Sequence, residues 1–282
     1  RVQLSENLYE LEAPHLRGER IYLDYPSHTG TENILLASSL AEGTTVVTHA
    51  SAEPEVIDLA CCLRQMGAQI RGVGTSHLEI SGSERLHGFT YRVMPDRIEA
   101  GTYAIASAIT GGDIVVRDIV ADHMAPLTYK LVEAGVIVSA EDDCYRVKAN
   151  GSLHAVELQT LHFPGFPTDL QAAFATLLTQ SEGTSLIHER VFDDRLQYAR
   201  ELGKLGANIR VNGHTATVVG PTSLVGGKVR ALDIRSGAAL ILAGLAAEGC
   251  TEIIDIYHID RGYEHVDSKL RELGARIRRV AA

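Results

Sequence analysis

The sequence predicts an α/β fold assembled from repeated β-α-β-α-β-β units, and two recurring marks predict it. Helix tails of the Leu-Gly-Ala type stand at Met66-Gly67-Ala68, Ala134-Gly135-Val136, Leu205-Gly206-Ala207 and Leu273-Gly274-Ala275, spaced by about seventy residues, as internal repeats require. A second mark precedes each tail, at Glu42-Gly43-Thr44-Thr45, Gly111-Gly112-Asp113, Glu182-Gly183-Thr184-Ser185 and Glu248-Gly249-Cys250-Thr251. Glycine is favoured just past a helix C-terminus, so each mark closes one helix and opens one strand.

In the first repeat Arg20–Asp24 is expected to be extended, Thr31–Ala41 helical, Thr44–Thr48 extended and Glu53–Met66 helical. Ala68–Arg71 and His77–Ser81 then pair as a hairpin. In the third repeat Asn212-Gly213 interrupts an alternating run from Ile209 to Val219, a strong two-residue turn signal. The first helix of each repeat (Ile34–Leu40, Tyr103–Ile109, Ala172–Leu178, Ala238–Ala247) is almost wholly apolar or small. A helix without a polar face is expected to be buried on all sides. The second helix, as in Asp194–Leu205 or Val266–Leu273, is amphipathic, so one helix per repeat packs inside and the sheets surround it. Arg1–Ala13 reads as the closing hairpin of a repeat whose earlier part is absent, and Ile277–Val280 as a last, single strand.

The 282 residues carry a net charge of −10, which argues against a general nucleic-acid or membrane-surface binder. No apolar run approaches the roughly 18 residues that cross a bilayer. Cys61, Cys62, Cys144 and Cys250 lack metal-ligand spacing, so no metal is expected, and Gly72-Val-Gly74 lacks the third glycine of a dinucleotide loop, so no cofactor is expected either. The cysteines read as free thiols of a reducing, cytoplasmic compartment.

Three stretches concentrate charge beside turn residues: Phe166-Pro-Thr-Asp-Leu-Gln171, Asp233-Ile-Arg-Ser-Gly237 and His258-Ile-Asp-Arg-Gly-Tyr-Glu264. Their pattern puts Asp169, Asp233 and Arg235 at helix N-termini, with Asp169 a natural N-cap after Pro167-Thr168. Arg261 falls at the end of a strand. If these converge, two guanidinium groups and two carboxylates share one cleft, suited to a small anion and a proton.

These stretches, with Glu189-Arg-Val-Phe-Asp-Asp-Arg195, Leu23-Asp-Tyr-Pro-Ser27, Thr31-Glu-Asn33, Ala52-Glu-Pro-Glu-Val56 and Pro95-Asp-Arg-Ile-Glu-Ala-Gly-Thr102, resemble the enolpyruvyl transferases over essentially the whole chain. The resemblance implies two inside-out α/β barrel domains of three repeats each, closing on substrate between them. Residues 95–282 would be the second domain, nearly complete. Residues 1–94 would be the C-terminal part of an incomplete first domain, with the missing N-terminal segment of the same protein expected to complete the fold. The implied reaction moves the enolpyruvyl group of phosphoenolpyruvate onto the 3-hydroxyl of UDP-N-acetylglucosamine, a step of peptidoglycan synthesis and hence of cell-wall formation and division. By resemblance Asp169 sits at the sugar hydroxyl as base or orienting group, Arg235 and Arg261 hold phosphoenolpyruvate, and Asp233 joins their network. Ser27 and His28 lie at the diphosphate, and Val191 contacts the nucleotide sugar by its backbone. The family's proton-donating cysteine belongs to the missing segment and matches none of the four here, so the chain alone is expected to bind weakly and turn over poorly. Two other readings stay open: a shortened, non-catalytic binding module, and a transferase of the shikimate pathway.

Overall fold

The computed structural model describes residues 2–6, 8–141 and 143–280, which divide between Met94 and Pro95 into two units. Arg1 and Asn7 of the expected N-terminal hairpin lie outside the described residues. The rest of it forms an exposed antiparallel pair, β1 (Val2–Ser5) and β2 (Leu8–Leu11).

The first unit continues with β3 (Arg20–Tyr22), α1 (His28–Ser38), β4 (Thr44–Thr48), α2 (Pro54–Gln65), β5 (Gln69–Arg71) and β6 (His77–Ser81). Because α1 crosses over between them, β3 and β4 pair in parallel, and the hairpin β5–β6 adds antiparallel to β4, in sheet order β3-β4-β6-β5. Leu35, Val47, Val56, Leu63, Ile70, Leu78 and Ile80 form the core. Two expectations are corrected here. The helix starts at His28 rather than Thr31, because the Ser27 hydroxyl caps it by accepting from the Gly30 N–H at 3.1 Å. Nor is it buried all round: Thr31, Leu35 and Ser38 are its buried residues, while Leu36 stays 52% exposed and Leu40, just past its end, 54%. An apolar helix is enclosed only where other elements meet every face, and α1 packs on α2 and the sheet.

The second unit holds three repeats. The first runs α3 (Arg97–Ile109), β7 (Asp113–Arg117), α4 (Ala121–Glu133), β8 (Ile137–Glu141) and β9 (Cys144–Lys148). The next runs β10 (Glu157–Gln159), α5 (Thr168–Leu178), β11 (Gly183–His188), a 3-10 turn at Arg195–Gln197, α6 (Tyr198–Lys204), β12 (Asn208–Asn212) and β13 (Thr215–Gly220). The last has β14 (Lys228–Arg230), α7 (Ile234–Ala246), β15 (Glu252–Ile254), α8 (Tyr257–Asp260) and α9 (Val266–Glu272). Here the apolar helices α3, α5 and α7 pack on one another, and their central residues are buried almost without exception.

Two details differ from the sequence expectation. The β12–β13 ladder closes at Asn212↔Thr215, so the loop is Gly213-His214 rather than Asn212-Gly213. Gly213 has φ +55°, the positive value that a two-residue hairpin loop demands of its first residue. Ile277–Val280 forms no strand. In each earlier sheet the first hairpin strand (β5, β8, β12) pairs, among the described residues, solely with the second (β6, β9, β13). Residues 276–280 have no such second strand among the described residues, and an extended segment without a neighbour makes no ladder.

Candidate active site

The N-terminal turns of α5 and α7 carry the chemistry. Asp169 is the second residue of α5; Pro167 holds the cap position and makes no side-chain bond, so the expected N-cap role is not what occupies this carboxylate. Instead Oδ1 accepts from Arg195 Nη1 at 3.0 Å and from Arg235 Nε. Arg235, second in α7, also donates through Nη1 to Asp233 Oδ2 at 3.2 Å. Asp233 is the N-cap of α7 in a reciprocal capping box: it accepts from Ser236 N at 2.7 Å, and its own N–H donates to Ser236 Oγ at 2.9 Å. Thr168, Gln171, Arg195, Tyr198, Asp233 and Arg235 line a cavity of about 260 Å³.

Electrostatics sets the protonation here. Burial pushes the Asp169 carboxyl up, but Arg235 and Arg195 outweigh it and hold its pKa below the usual carboxylate value. At Asp233 burial is likewise opposed, by the Ser236 N–H and by Arg235, and the net shift is again down. Burial pulls Arg235 down while Asp169 and Asp233 pull it up, and the two carboxylates win. Asp169 still exposes 42% of its side chain, so water screens these pairs and their net contribution to stability is about 1 kcal/mol or less. Their effect is to orient: two guanidinium forks are aimed at one carboxylate beside two helix N-termini, where the backbone field favours anions. Arg235 uses two of its five N–H groups and Arg195 one, leaving donors for a ligand.

A buried carboxylate ties this arrangement together. Glu189, 3% exposed, follows β11 and accepts four hydrogen bonds. Oε2 takes Thr168 Oγ1 and Gln171 Nε2, both at 2.8 Å. Oε1 takes the Val191 and Phe192 N–H groups at 2.7 and 3.0 Å. It thereby clamps the first turn of α5, on either side of Asp169, to the loop that delivers Arg195. The Arg195 guanidinium rests over the Phe192 ring, 4.2 Å from its centroid, a cation–π contact that limits its rotation. Asp194, just before it, is left-handed (φ +57°).

Asp169, Asp233 and Arg235 therefore meet, but the second guanidinium is Arg195, not Arg261. Arg261 follows the short helix α8 rather than a strand, is exposed, and has no ion-pair partner among the described residues. The loop carrying it presses on α7, since a Cβ on Gly262 would collide with Ile234; Arg261 thus sits by the same helix N-terminus without lining the cavity. Val191 has its N–H taken by Glu189. Ser27 and His28 belong to the first unit, where Ser27 caps α1 and His28 Nε2 lies 3.1 Å from Glu32 Oε1. Sequence reasoning assigns Arg195 and Glu189 no role. Both lie in the Glu189–Arg195 stretch that carries the resemblance, but no local pattern marks a Glu after a strand as buried or an Arg 26 residues from Asp169 as its partner.

Fold and site together define an α/β repeat protein with a cavity at two helix N-termini, lined by Arg195 and Arg235 and also by Asp193, Asp194 and Asp233. A family model described as EPSP synthase (3-phosphoshikimate 1-carboxyvinyltransferase) matches residues 1–270. A relative from Carboxydothermus hydrogenoformans, UDP-N-acetylglucosamine 1-carboxyvinyltransferase 2, is 46% identical over all of this chain and 68% of its own length. The UDP-N-acetylglucosamine 1-carboxyvinyltransferase of Halothermothrix orenii is 49% identical over 99% of this chain and 67% of its own. Among solved structures, the enolpyruvyl transferase NikO from Streptomyces tendae superposes with a TM-score of 0.91 at 28% identity, covering all of this chain and 70% of NikO. EPSP synthase from Acinetobacter baumannii, at 20% identity and TM-score 0.73, shares the fold. The chain belongs to the EPSP synthase family, the enolpyruvyl transferases, and spans about two-thirds of the length of these relatives.

Proposed function

We propose that this chain carries the phosphoenolpyruvate-binding arginines and the sugar-facing carboxylate of a UDP-N-acetylglucosamine enolpyruvyl transferase of peptidoglycan synthesis, working in the cytoplasm. The observation that carries the reading is Asp169 held between Arg195 and Arg235 at the mouths of α5 and α7. The sugar 3-hydroxyl adds to C2 of phosphoenolpyruvate as C3 gains a proton; that proton then leaves C3 as the C2–O–phosphate bond breaks and phosphate departs. Arg195 and Arg235 hold the acid's negative groups, Arg261 closes on them from the edge, and Asp233 keeps Arg235 aimed. Asp169 takes or orients the hydroxyl proton. With both arginines on it Asp169 is a weak base. An anionic substrate that draws the guanidinium groups away raises its proton affinity at the moment a base is needed. At the α1 N-terminus the Ser27 hydroxyl accepts one bond and keeps its proton to donate, consistent with a diphosphate contact beside His28. Val191 offers the nucleotide sugar a backbone contact. We read residues 95–282 as one domain and 1–94 as part of another.

Relatives at 46–49% identity favour the nucleotide sugar over the shikimate-pathway substrate named by the family model. Isothermal titration decides. Binding of UDP-N-acetylglucosamine and phosphoenolpyruvate is expected, with Arg235→Gln weakening phosphoenolpyruvate at least about tenfold, as removal of a charged hydrogen-bond donor does. Binding of shikimate 3-phosphate in place of the nucleotide sugar would sink the reading.

A further inference from the structure

Arg261 stands at the end of α8, and the loop that carries it is fastened from several sides. A Cβ on Gly262 would strike Ile234, and one on Gly237 would strike Ile259, so the loop lies against the first turn of α7 on either side of Arg235. After Arg261, the buried Tyr263 shares a hydrogen bond of 2.8 Å between its hydroxyl and Thr102 Oγ1 of α3. Before it, Asp260 is gripped by Arg279: Nη1 donates to Oδ2 at 2.9 Å and Nη2 to Oδ1 at 2.5 Å. Arg279 Nε also donates to Asp267 Oδ1, in the first turn of α9, at 2.8 Å. One guanidinium thus joins α8 to α9 across the left-handed His265. Helices of four and seven residues do not keep their shape unaided, whereas a bidentate fork fixes both separation and orientation.

We propose that Arg279 is a positioning residue for Arg261: by bridging Asp260 and Asp267 it sets the α8–α9 corner, and so keeps Arg261 beside the α7 N-terminus for the negative groups of the small acid. The inference rests on the function proposed above, in which Arg261 closes on that acid, and adds the residue that prepares the closure. Two effects combine. The backbone at Arg261 is held between the Arg279 fork and the Tyr263 anchor, which narrows the space its exposed side chain searches. The carboxylate next to it in sequence, Asp260, has a partner on each oxygen, which leaves Arg261 without an ion pair among the described residues. Arg279 and Asp260 keep 43% and 41% of their side chains exposed, and pairs so exposed add little to stability. The effect belongs in ligand binding instead.

The test is a double-mutant cycle read by titrating the whole chain with phosphoenolpyruvate. Arg261→Gln is expected to weaken binding about tenfold, the effect of losing a charged hydrogen-bond donor. Arg279→Gln is expected to weaken it about fivefold, within the range of coupled residues in one network. Added to Arg261→Gln, the same substitution is expected to cost less than about twofold more, because nothing is left to position. A general loss of structure or of charge would weaken both backgrounds alike, and that outcome overturns the inference, as does wild-type binding by Arg279→Gln. Arg146→Gln breaks another bidentate pair, with Asp113 of β7, and is expected to leave binding unchanged, since an exposed charge outside the site is screened. A comparable loss there overturns the inference too. Asp260→Ala opens the same fork from its other side and is expected to reproduce the Arg279→Gln result; it stands in should that variant not fold, and unchanged binding refutes the idea equally. If wild type binds no phosphoenolpyruvate, the proposed function fails and takes the inference with it. If wild type binds and Arg261→Gln binds equally well, the inference fails while the roles of Arg195 and Arg235 stand.

Discussion

Both units use one apolar helix per repeat, but with different outcomes. In residues 95–280 the helices α3, α5 and α7 enclose one another, and every residue from Leu170 to Leu178 of α5 is buried. In residues 2–94 the comparable helix α1 keeps Leu36 in solvent and buries three residues. Hydrophobicity along a helix sets how much surface it can bury, and the number of neighbours sets how much it does bury.

The units also differ, in one repeat, in how the segment after the second strand grips the inner helix. In the first, His49 follows β4 in a left-handed conformation and the Thr31 hydroxyl of α1 accepts the Ser51 N–H at 3.0 Å. Asp118 and Asp255 hold the same place after β7 and β15, also left-handed. After β11 that place is taken by Glu189, which is not left-handed and grips α5 through a carboxylate. The repeat that departs from the common turn is the one whose helix carries Asp169. A neutral clasp suffices to hold a helix, whereas a charged one with four partners also sets the loop that carries Arg195.

Three measurements test this contrast. Leu177→Ala in α5 is expected to destabilise by about 2–5 kcal/mol, the usual result of a core cavity; Leu36→Ala in α1 is expected to change stability by no more than about 0.5 kcal/mol. Denaturant unfolding checks both, and similar losses at the two sites would refute the idea that neighbours decide burial. Next, Glu189→Ala strands four donors and is expected to lower stability by about 1–3 kcal/mol, with faster amide exchange at Val191 and Phe192. Thr31→Val, which strands the Ser51 N–H alone, is expected to lose nearer 1 kcal/mol; an equal or larger loss there would remove the distinction between the clasps. The smallest effect is with pH. Asp169 and Asp233 have folded pKa values below their unfolded value of about 3.9. Their contribution is therefore complete above that pH and fades as pH falls through the folded values. Because both are part-exposed, roughly 1 kcal/mol or less each is at stake. In Asp169→Asn the acid-side loss should shrink; an unchanged profile would mean the arginines do not stabilise that carboxylate.

The repeat, the four Gly-marked helix ends and the parallel crossover of β3 and β4 follow from local chemistry: glycine past a helix, apolar runs of helical length, turn residues between strands. So does the Asp233 cap, because a capping interaction spans three residues of chain and needs nothing distant. Asp169 shows where that logic stops. Its sequence neighbourhood is that of an N-cap, but arginines 26 and 66 residues away claim the carboxylate first. The hairpin loop shifted by one residue for a related reason, since the register of the β12–β13 ladder rather than the Asn-Gly pair chose which two residues turn.

By itself, then, the amino-acid order determined most of the helices and strands, how often the pattern recurs, and which family the chain resembles. All of these are read within a few turns of backbone or by matching short stretches. Tertiary packing decided that Arg195 rather than Arg261 completes the charged cluster, and that Glu189 is buried and Leu36 is not. Those outcomes depend on which surfaces meet across long loops, and burial and pairing are properties of the meeting, not of either residue alone.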